Sequence, residues 1–405
     1  MSIQIIDGNI TQTTAPYICH QVNCQGRMNS GVAKAIRERF PDAYHDYIET
    51  CRDTDSGDGT GLLGTLRVTA IPDGPKICHM FAQNRYGYDG QKYTNYGAFR
   101  FCLDLLTKYI PRGSTIAMPY GIGCGLGGGD WNVIYSMIKS ALGQDYTVEL
   151  WRLPKMTELD PKQTKDAIIQ WIRDYFAENG PDCSAVVGIS GGKDSSIVAA
   201  LCVEALGKDR VFGVLMPDGE QADIMDAFAF CDALDIRKAV INIGNAKQAL
   251  LDSMPCPYQW SQQAMINMPP RLRMAALYAM AQSLPNGGRV ANTCNLSEDY
   301  VGYSTKFGDS AGDFSPLGKL TVTQVRQIGH LLPIPAHLVD KTPSDGLCGK
   351  SDEDNLGFTY EQLDRRIAQG SCGDRAVDCK IMQMHVKNLH KLLPMPTFNP
   401  REWGL

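Results

Sequence analysis

Ser184-Ala185-Val186-Val187-Gly188-Ile189-Ser190-Gly191-Gly192-Lys193-Asp194-Ser195-Ser196 is an apolar run that breaks into a glycine turn and then resumes as helix. A short, wholly apolar segment bounded by a turn has the pattern of a strand buried on both faces, as in a parallel sheet. Gly191 and Gly192 allow the backbone to turn tightly. The turn and the helix start leave N–H groups free to meet an anion. Ser190 and Ser195 add hydroxyl donors, and Asp194 can hold the Mg²⁺ that accompanies a nucleoside triphosphate. The run is not a Walker A loop, whose G-x-x-x-x-G-K-[ST] spacing it does not meet. A plain glycine-rich turn with a capping Asp also fits the same residues.

Outward from this loop, the second half alternates strand and helix. FGVLMPDG and KAVINIG read as strands, and helices are expected around PPRLRMAALYAMAQSL and in TVTQVRQIGHLL. A helix begins near Asp160 with Ile168, Ile169, Ile172 and Phe176 on one face. The first half reads the same way. SIQIIDG, APYICHQVN, GTLRVTAI, KICHMFAQ, STIAMPYG and TVELWRL are strands; SGVAKAIRERF, NYGAFRFCLDLLTKYI and DWNVIYSMIKSAL are helices, the last with Asp130 as its N-cap. Both halves are therefore α/β. The polar stretch with Pro154 and Pro161 divides them, giving 1–154, a linker at 155–159, and 160–405.

Composition bounds the rest. The chain has 405 residues, 43% apolar and 20% charged, which fits two globular domains and excludes a disordered chain. Glycine is in excess, at 40 residues against a usual ~7%. The net charge of −5 gives no general attraction to nucleic acid or anionic membrane, so neither is expected as a partner. The 14 cysteines contain no C-x-x-C pair, and most lie in apolar runs where Cys acts as a small hydrophobe. No apolar run reaches the ~18 residues of a membrane span, and the start lacks a signal-peptide pattern. These features point to a reducing, cytoplasmic compartment.

The glycine loop at 190–195 resembles the PP-loop of the ATP pyrophosphatases. The rest of the second half resembles NAD synthetase through MPDGEQAD, NMPPRLRM, NLSEDYVGYSTKFGDSAGDFSPLG, KTPSDGL, SDEDNLGFTYEQLD and HKLLPMPTF. The resemblance implies an adenine-nucleotide alpha hydrolase-like, doubly wound parallel sheet. It also implies a two-step reaction with ATP and Mg²⁺: the carboxylate of deamido-NAD takes AMP from ATP with release of pyrophosphate, and ammonia then displaces AMP. By the same resemblance, Ser190, Gly191, Gly192, Lys193, Asp194 and Ser195 hold pyrophosphate, and Asp194 and Glu298 hold the metal. Thr293, Arg273, Gln221 and Ser344 contact ATP. Arg271 contacts deamido-NAD. Lys306, Asp309 and Asp313 hold the nicotinate end and the ammonia. His390 and Lys391 reach the substrate of a partner subunit, which implies a homodimer. The family places a phosphate-contacting Lys where Val322 stands here; Lys319 or Lys193 is a candidate substitute. Ser2 rather than Cys after Met1, a first half too short for a nitrilase-like glutaminase, and no G-x-C turn at Cys124 point to free ammonia or ammonia from another protein. Sulfur transfer, another PP-loop chemistry, lacks its usual paired cysteines.

Residues 1–154 resemble a macro domain of the compact type related to ADP-ribose-1″-phosphate phosphatases. HQVNCQG, SGVAKAI and PYGIGCGLGGGDW carry the match, which implies a three-layer α/β/α fold. It implies that ADP-ribose or a derivative lies with its distal ribose at Asn23. Its diphosphate would lie between Ser30, Gly31, Val32 and Ala33 on one side and Gly123, Cys124, Gly125, Leu126 and Gly127 on the other. Asn9 stands where many macro domains read adenine with an acidic residue. His20 and Asp130 match the polar pair of the phosphatase subgroup, and they equally fit a core histidine and a helix cap. Gly127 stands where de-ADP-ribosylating members carry Asp. The combined expectation is NAD synthesis joined to binding or processing of an ADP-ribose derivative. The competing readings are a non-catalytic nucleotide sensor and amidation of a different carboxylate.

Overall fold

In a computed structural model the described residues are 2–53, 60–153, 159–221, 224–253, 258–341, 351–393 and 395–398. The expected linker at 155–159 falls almost wholly outside them, and Ser344 does too. Contacts divide the chain into two compact units, Met1–Thr157 with Asp378–Gln383, and Glu158–Val377 with Met384–Leu405.

The first unit contains β1 (Ile3–Asp7), β2 (Tyr17–Asn23), α1 (Gly31–Arg39), α2 (Pro41–Arg52), β3 (Leu66–Ala70), β4 (Lys76–Gln83), α3 (Tyr96–Tyr109), β5 (Thr115–Pro119), α4 (Trp131–Leu142) and β6 (Thr147–Arg152). The sheet order is β1-β6-β5-β2-β4-β3, parallel except for β3 against β4. Alternation along β2 makes the three layers. Tyr17 and Cys19 join a core with Phe99, Leu103, Ile134 and Ile138 of α3 and α4, whereas Ile18 and Val22 join one with Ile36 of α1 and Tyr47 of α2. The helix after β5 thus covers one face and the helix after β2 the other, so a crevice opens between the neighbouring ends of β2 and β5. Helix α2 is not among the elements expected from sequence. It starts with Pro41 at the first helical position and buries Ala43 and Tyr47, four residues apart.

The second unit begins with α5 (Pro161–Asn179), β7 (Ser184–Gly188), α6 (Lys193–Leu206), β8 (Val211–Leu215), α7 (Ile224–Ala233), β9 (Arg237–Val240) and α8 (Gly244–Asp252). It continues with α9 (Gln262–Ser283), β10 (Gly288–Ala291), α10 (Leu296–Val301), α11 (Val322–Gly329), α12 (Ala336–Val339), α13 (Asp352–Leu356), α14 (Tyr360–Gln369) and α15 (Arg375–Leu392). Its four strands are parallel in the order β10-β7-β8-β9. Ala185 and Val187 pack with α5, α6, α7 and α11; Val186 and Val214 pack with Ala281 and Leu277 of α9. This is the doubly wound sheet the sequence implied, with its order reversing between β7 and β10.

Two elements depart from expectation. Helix α9 starts ahead of Pro269 and Pro270, capped by Ser261, whose hydroxyl accepts the Ala264 N–H at 3.2 Å. Strand β10 is only four residues long, too short for a periodicity to show. It is extended sideways by Asp313 and Phe314, through Asp313 N–H to Val290 O (2.8 Å) and Asn292 N–H to Phe314 O (2.8 Å). The Phe314 ring is pinned by Tyr175 and Phe176, at 5.1 and 5.3 Å between centroids.

Helix α11 lies close against α6 because Gly329 has no side chain. A Cβ there would come within 2.8 Å of Ile197 and 2.9 Å of Val339. Gly329→Val should therefore destabilise the second unit by about 1–3 kcal/mol. The measurement is the guanidinium chloride midpoint, and an unchanged midpoint would show that this approach is not tight.

Candidate functional site

The loop after β7 is a set of donors with their acceptors removed. Gly191 adopts φ +76°, which reverses the chain. The Ser195 and Ser196 hydroxyls donate to the Gly192 carbonyl at 3.2 and 2.9 Å, and the Ser190 hydroxyl accepts the Gly192 N–H at 3.2 Å. The N–H groups of Gly191, Lys193, Asp194 and Ser195 meet no acceptor among the described residues. They point from the end of β7 at the reversal of strand order, the usual place for a phosphate.

Charge gathers beside this loop. The Lys193 ammonium is buried, 2.6 Å from Asp194 Oδ2 and 4.0 Å from Glu298 Oε1. Burial works against its charge, but the two carboxylates outweigh burial and hold it protonated. Glu298 is pushed above the carboxylate range, first by burial and then by Asp194. Asn295, wholly buried, accepts the Glu298 N–H (3.1 Å) and donates to Asp194 Oδ1 (3.4 Å), tying α10 to the loop. Asp352, also buried, accepts from Tyr303 and Tyr360 at 3.3 and 3.4 Å, and its charge adds to the pressure on Glu298. Two largely enclosed carboxylates with excess negative charge fit a divalent cation. No group of three or more His, Cys, Asp or Glu side chains suited to a metal occurs among the described residues. Asp194 and Glu298 would hold Mg²⁺ with phosphate oxygens and water completing its shell, as Mg²⁺ prefers.

A second group lies at the end of α10. Asp309 is exposed, and its Oδ1 accepts the Thr305 N–H at 2.6 Å. Desolvation raises its pKa, and Lys391 opposes the rise. Lys391 donates to the Gly302 and Ser304 carbonyls at 2.7 and 3.0 Å. Lys306 donates to the His390 carbonyl at 2.7 Å, and Arg271 to the Lys306 carbonyl at 3.3 Å. The structure thus brings Arg271, Lys306, Asp309, His390 and Lys391 together within one chain. Asp313 instead holds the backbone. Its Oδ2 accepts the Val290 N–H at 2.7 Å, and its Oδ1 accepts from Tyr278 at 3.3 Å. Arg273 donates to the Met216 carbonyl at 3.0 Å, and burial lowers its pKa. Gln221 lies in the loop after β8, and Thr293 follows β10, ahead of α10. Val322 is 1% exposed in the first turn of α11.

Asn295 was within reach of the sequence, since Asn-x-x-Glu ahead of a helix is a capping signal. Asp352 carried no such signal, because its approach to Glu298 is made by chain folding.

In the first unit, two loops face the crevice between β2 and β5. In the glycine loop after β5 the carbonyls are fastened inward. Thr94 Oγ1 donates to Gly123 O (2.7 Å), and Tyr93 N–H and Thr94 N–H donate to Gly127 O (2.9 and 2.8 Å). The N–H groups of Gly123, Gly125, Leu126 and Gly127 meet no acceptor among the described residues. A Cβ on Gly127 would sit 2.5 Å from Thr94 Oγ1, so the fastening requires glycine. Opposite, Ser30 begins α1 without a side-chain cap bond, which leaves the N–H groups of Gly31, Val32 and Ala33 without acceptors. Asn23, 5% exposed, braces the loop between: its Oδ1 accepts the Gln25 and Arg27 N–H groups at 3.0 and 3.2 Å, and its amide donates to Arg27 O at 2.6 Å. Asn9 accepts from the Thr11 N–H and hydroxyl, both at 3.0 Å.

His20 and Asp130, the expected catalytic pair, serve separate purposes. Asp130 caps α4 by accepting the Asn132 N–H at 2.8 Å. His20 is 1% exposed, with Nε2 2.8 Å from His79 Nδ1 and no partner at Nδ1. This is the placement of a core histidine.

Comparison with known proteins follows the same division. The NAD synthase family model matches residues 164–394, and the Macro domain family model matches residues 19–138. The NH(3)-dependent NAD(+) synthetase of Methanococcoides burtonii is 41% identical over 210 residues, 51% of this chain and 79% of that protein. The corresponding synthetase of Archaeoglobus fulgidus is 34% identical over 244 residues, 58% of this chain and 96% of that protein. Among solved structures, NMN synthetase from Francisella tularensis superposes with a TM-score of 0.55 at 32% identity, over 60% of this chain and 100% of its own.

The buried histidines set a pH dependence. Burial lowers His20, and the neighbouring His79 adds to this; burial lowers His79 to about 4. Between pH 6.5 and 4 the unfolded chain binds protons that the folded pair does not, so stability is complete above 6.5 and falls toward 4. For His79 alone the loss is about 3 kcal/mol. Hydrogen exchange at the amides of β2 and β4, followed from pH 7 to 5 by the free energy of opening, should show the decline. A flat profile would contradict it.

Proposed function

The chain belongs to the NAD synthase family, and we propose from that premise that its second unit makes NAD by amidating deamido-NAD with free ammonia, using ATP. The observation that carries the reading is the convergence, at one reversal of strand order, of four acceptor-less N–H groups with the Asp194 and Glu298 carboxylates. A nicotinate oxygen attacks the α-phosphorus, the bond to the β-phosphate breaks, and pyrophosphate leaves. Ammonia then bonds to the acyl carbon, AMP leaves with the C–O bonding pair, and the nitrogen loses a proton.

The loop N–H groups and the Ser190 and Ser195 hydroxyls take the charge that moves onto pyrophosphate. Mg²⁺ on Asp194 and Glu298 supplies further positive charge when bound. Asp309, anchored by the Thr305 N–H and raised in pKa, is suited to hold ammonium and take its proton, while Lys306 and Lys391 fix the surrounding carbonyls. Gln221, Arg273, Thr293 and Ser344 are assigned to ATP, Arg271 to deamido-NAD, and His390 and Lys391 to the deamido-NAD of a partner subunit. The resemblance supports a homodimer. The free thiols of the described cysteines fit a cytoplasmic setting. No described helix is long and apolar enough to cross a membrane.

We assign residues 1–154 to binding ADP-ribose or a derivative, its diphosphate held between Ser30–Ala33 and Gly123–Gly127. The two rows of N–H groups without acceptors among the described residues, which follow the neighbouring parallel strands β2 and β5, support this. His20 is enclosed and bonded to His79, which speaks against a phosphatase step.

Purified protein given ATP, Mg²⁺, ammonium and deamido-NAD should yield NAD, AMP and pyrophosphate, and Asp194→Ala should abolish NAD formation. The corresponding nicotinate mononucleotide belongs in a parallel reaction, and faster turnover of it would move the substrate assignment. No NAD above the Asp194→Ala background would refute the proposal.

For the first unit, Gly127→Val should weaken ADP-ribose binding in calorimetry by at least about tenfold, which is 1.4 kcal/mol. Unchanged affinity would place the ligand elsewhere.

A further inference from the structure

The resemblance places a phosphate-contacting lysine where Val322 stands, and α11 carries another cation one turn further on, Arg326. Val322 is buried, and its N–H donates to Ser297 Oγ at 3.0 Å, one residue from Glu298. Positions 322, 326 and 329 share one face of α11. At the far end of that face Gly329 lies against Ile197 of α6, four residues beyond Lys193. Arg326 lies between them on that face, so it sits between the Ser297 end and the Ile197 end of the packing of α11 on α10 and α6.

The state of Arg326 is unusual. Its Nε is buried without a hydrogen-bond partner. Its side chain makes no hydrogen bond or ion pair among the described residues, although guanidinium carries five donors. It lies near enough to Lys193 that its charge opposes the ammonium. A buried donor left unpaired beside a like charge is costly, and an anion relieves both costs.

Of the other cations nearby, Lys193 is held by Asp194 and Glu298. Lys319 is exposed, and its charge bears on Asp299. Lys341 donates to the Gly191 carbonyl at 3.2 Å and pairs with Asp226 at 3.5 Å.

We propose that Arg326 binds the β- and γ-phosphates of ATP and stabilises the departing pyrophosphate, in place of the lysine absent at position 322. The inference rests on the synthetase reading above. Its guanidinium fork can donate two parallel N–H bonds to one phosphate, which a lysine cannot do.

The test compares the full chain with Arg326→Ala and Arg326→Lys. Steady-state kinetics are run in ATP and in deamido-NAD, with Mg·ATP binding by calorimetry and melting temperature alongside. Arg326→Ala should lower kcat/KM for ATP by about 100-fold, as removal of one charge-stabilising donor typically does. It should weaken Mg·ATP binding, with KM for deamido-NAD and the melting temperature little changed, and Arg326→Lys should recover part of the loss. ATP kinetics and affinity within about threefold of the parent would overturn the proposal. So would an equal loss in both variants with a lowered melting temperature, which marks a packing role. If the parent chain makes no NAD, the synthetase reading fails by itself; calorimetry with Mg·ATP still judges Arg326, since weakened binding in Arg326→Ala supports it and unchanged binding rejects it.

Discussion

Backbone N–H groups without acceptors are what the rest of this molecule is arranged around. A parallel strand that ends in a helix start leaves such groups by necessity, because the first turn has no preceding carbonyls. In each unit two strands of opposite winding lie side by side, so these ends open onto a crevice rather than onto a covering helix. The side chains nearby keep the groups free. Thr94 takes the Gly123 carbonyl, and Ser195 and Ser196 take that of Gly192. With the carbonyls engaged, the amides face outward.

The two cradles differ in their charges. The cradle of the first unit is lined by backbone and by Asn23, with no ion pair in its loops among the described residues. That suits holding a diphosphate unchanged. The second places Lys193 between Asp194 and Glu298, with Arg326 at its edge. Burial makes each of these charges expensive alone, so each depends on its neighbours. Such a balance is easily shifted by a bound phosphate and its cation, which is what a reaction that moves charge onto pyrophosphate requires.

Much of this was legible before the structure. The strand at 184–188, the loop at 190–195 and the helix that follows are local, and composition and order sufficed to place them. The same holds for SGVAKAI and GIGCGLGGGDW. The sequence did not show which residues meet from afar. Asp352 reaches the neighbourhood of Glu298 across more than fifty residues, and the charge of Arg326 reaches Lys193 through the packing of α11 on α6 that Gly329 allows. His20 was ambiguous for a related reason. Its strand position was readable, but its enclosure depends on His79 and Tyr47 from other elements. Strand β10 escaped notice because four residues carry too little pattern, and its partner segment at 313–314 is not a regular strand.

The central claim is that the second unit cleaves ATP between its α- and β-phosphates, with deamido-NAD as the acceptor. The most direct measurement withholds ammonia and supplies labelled pyrophosphate with ATP, Mg²⁺ and deamido-NAD. The account predicts that label enters ATP only when deamido-NAD is present, since the adenylate forms and reverts. Label entering ATP without deamido-NAD, no exchange at all, or ADP and phosphate as the products, would contradict it.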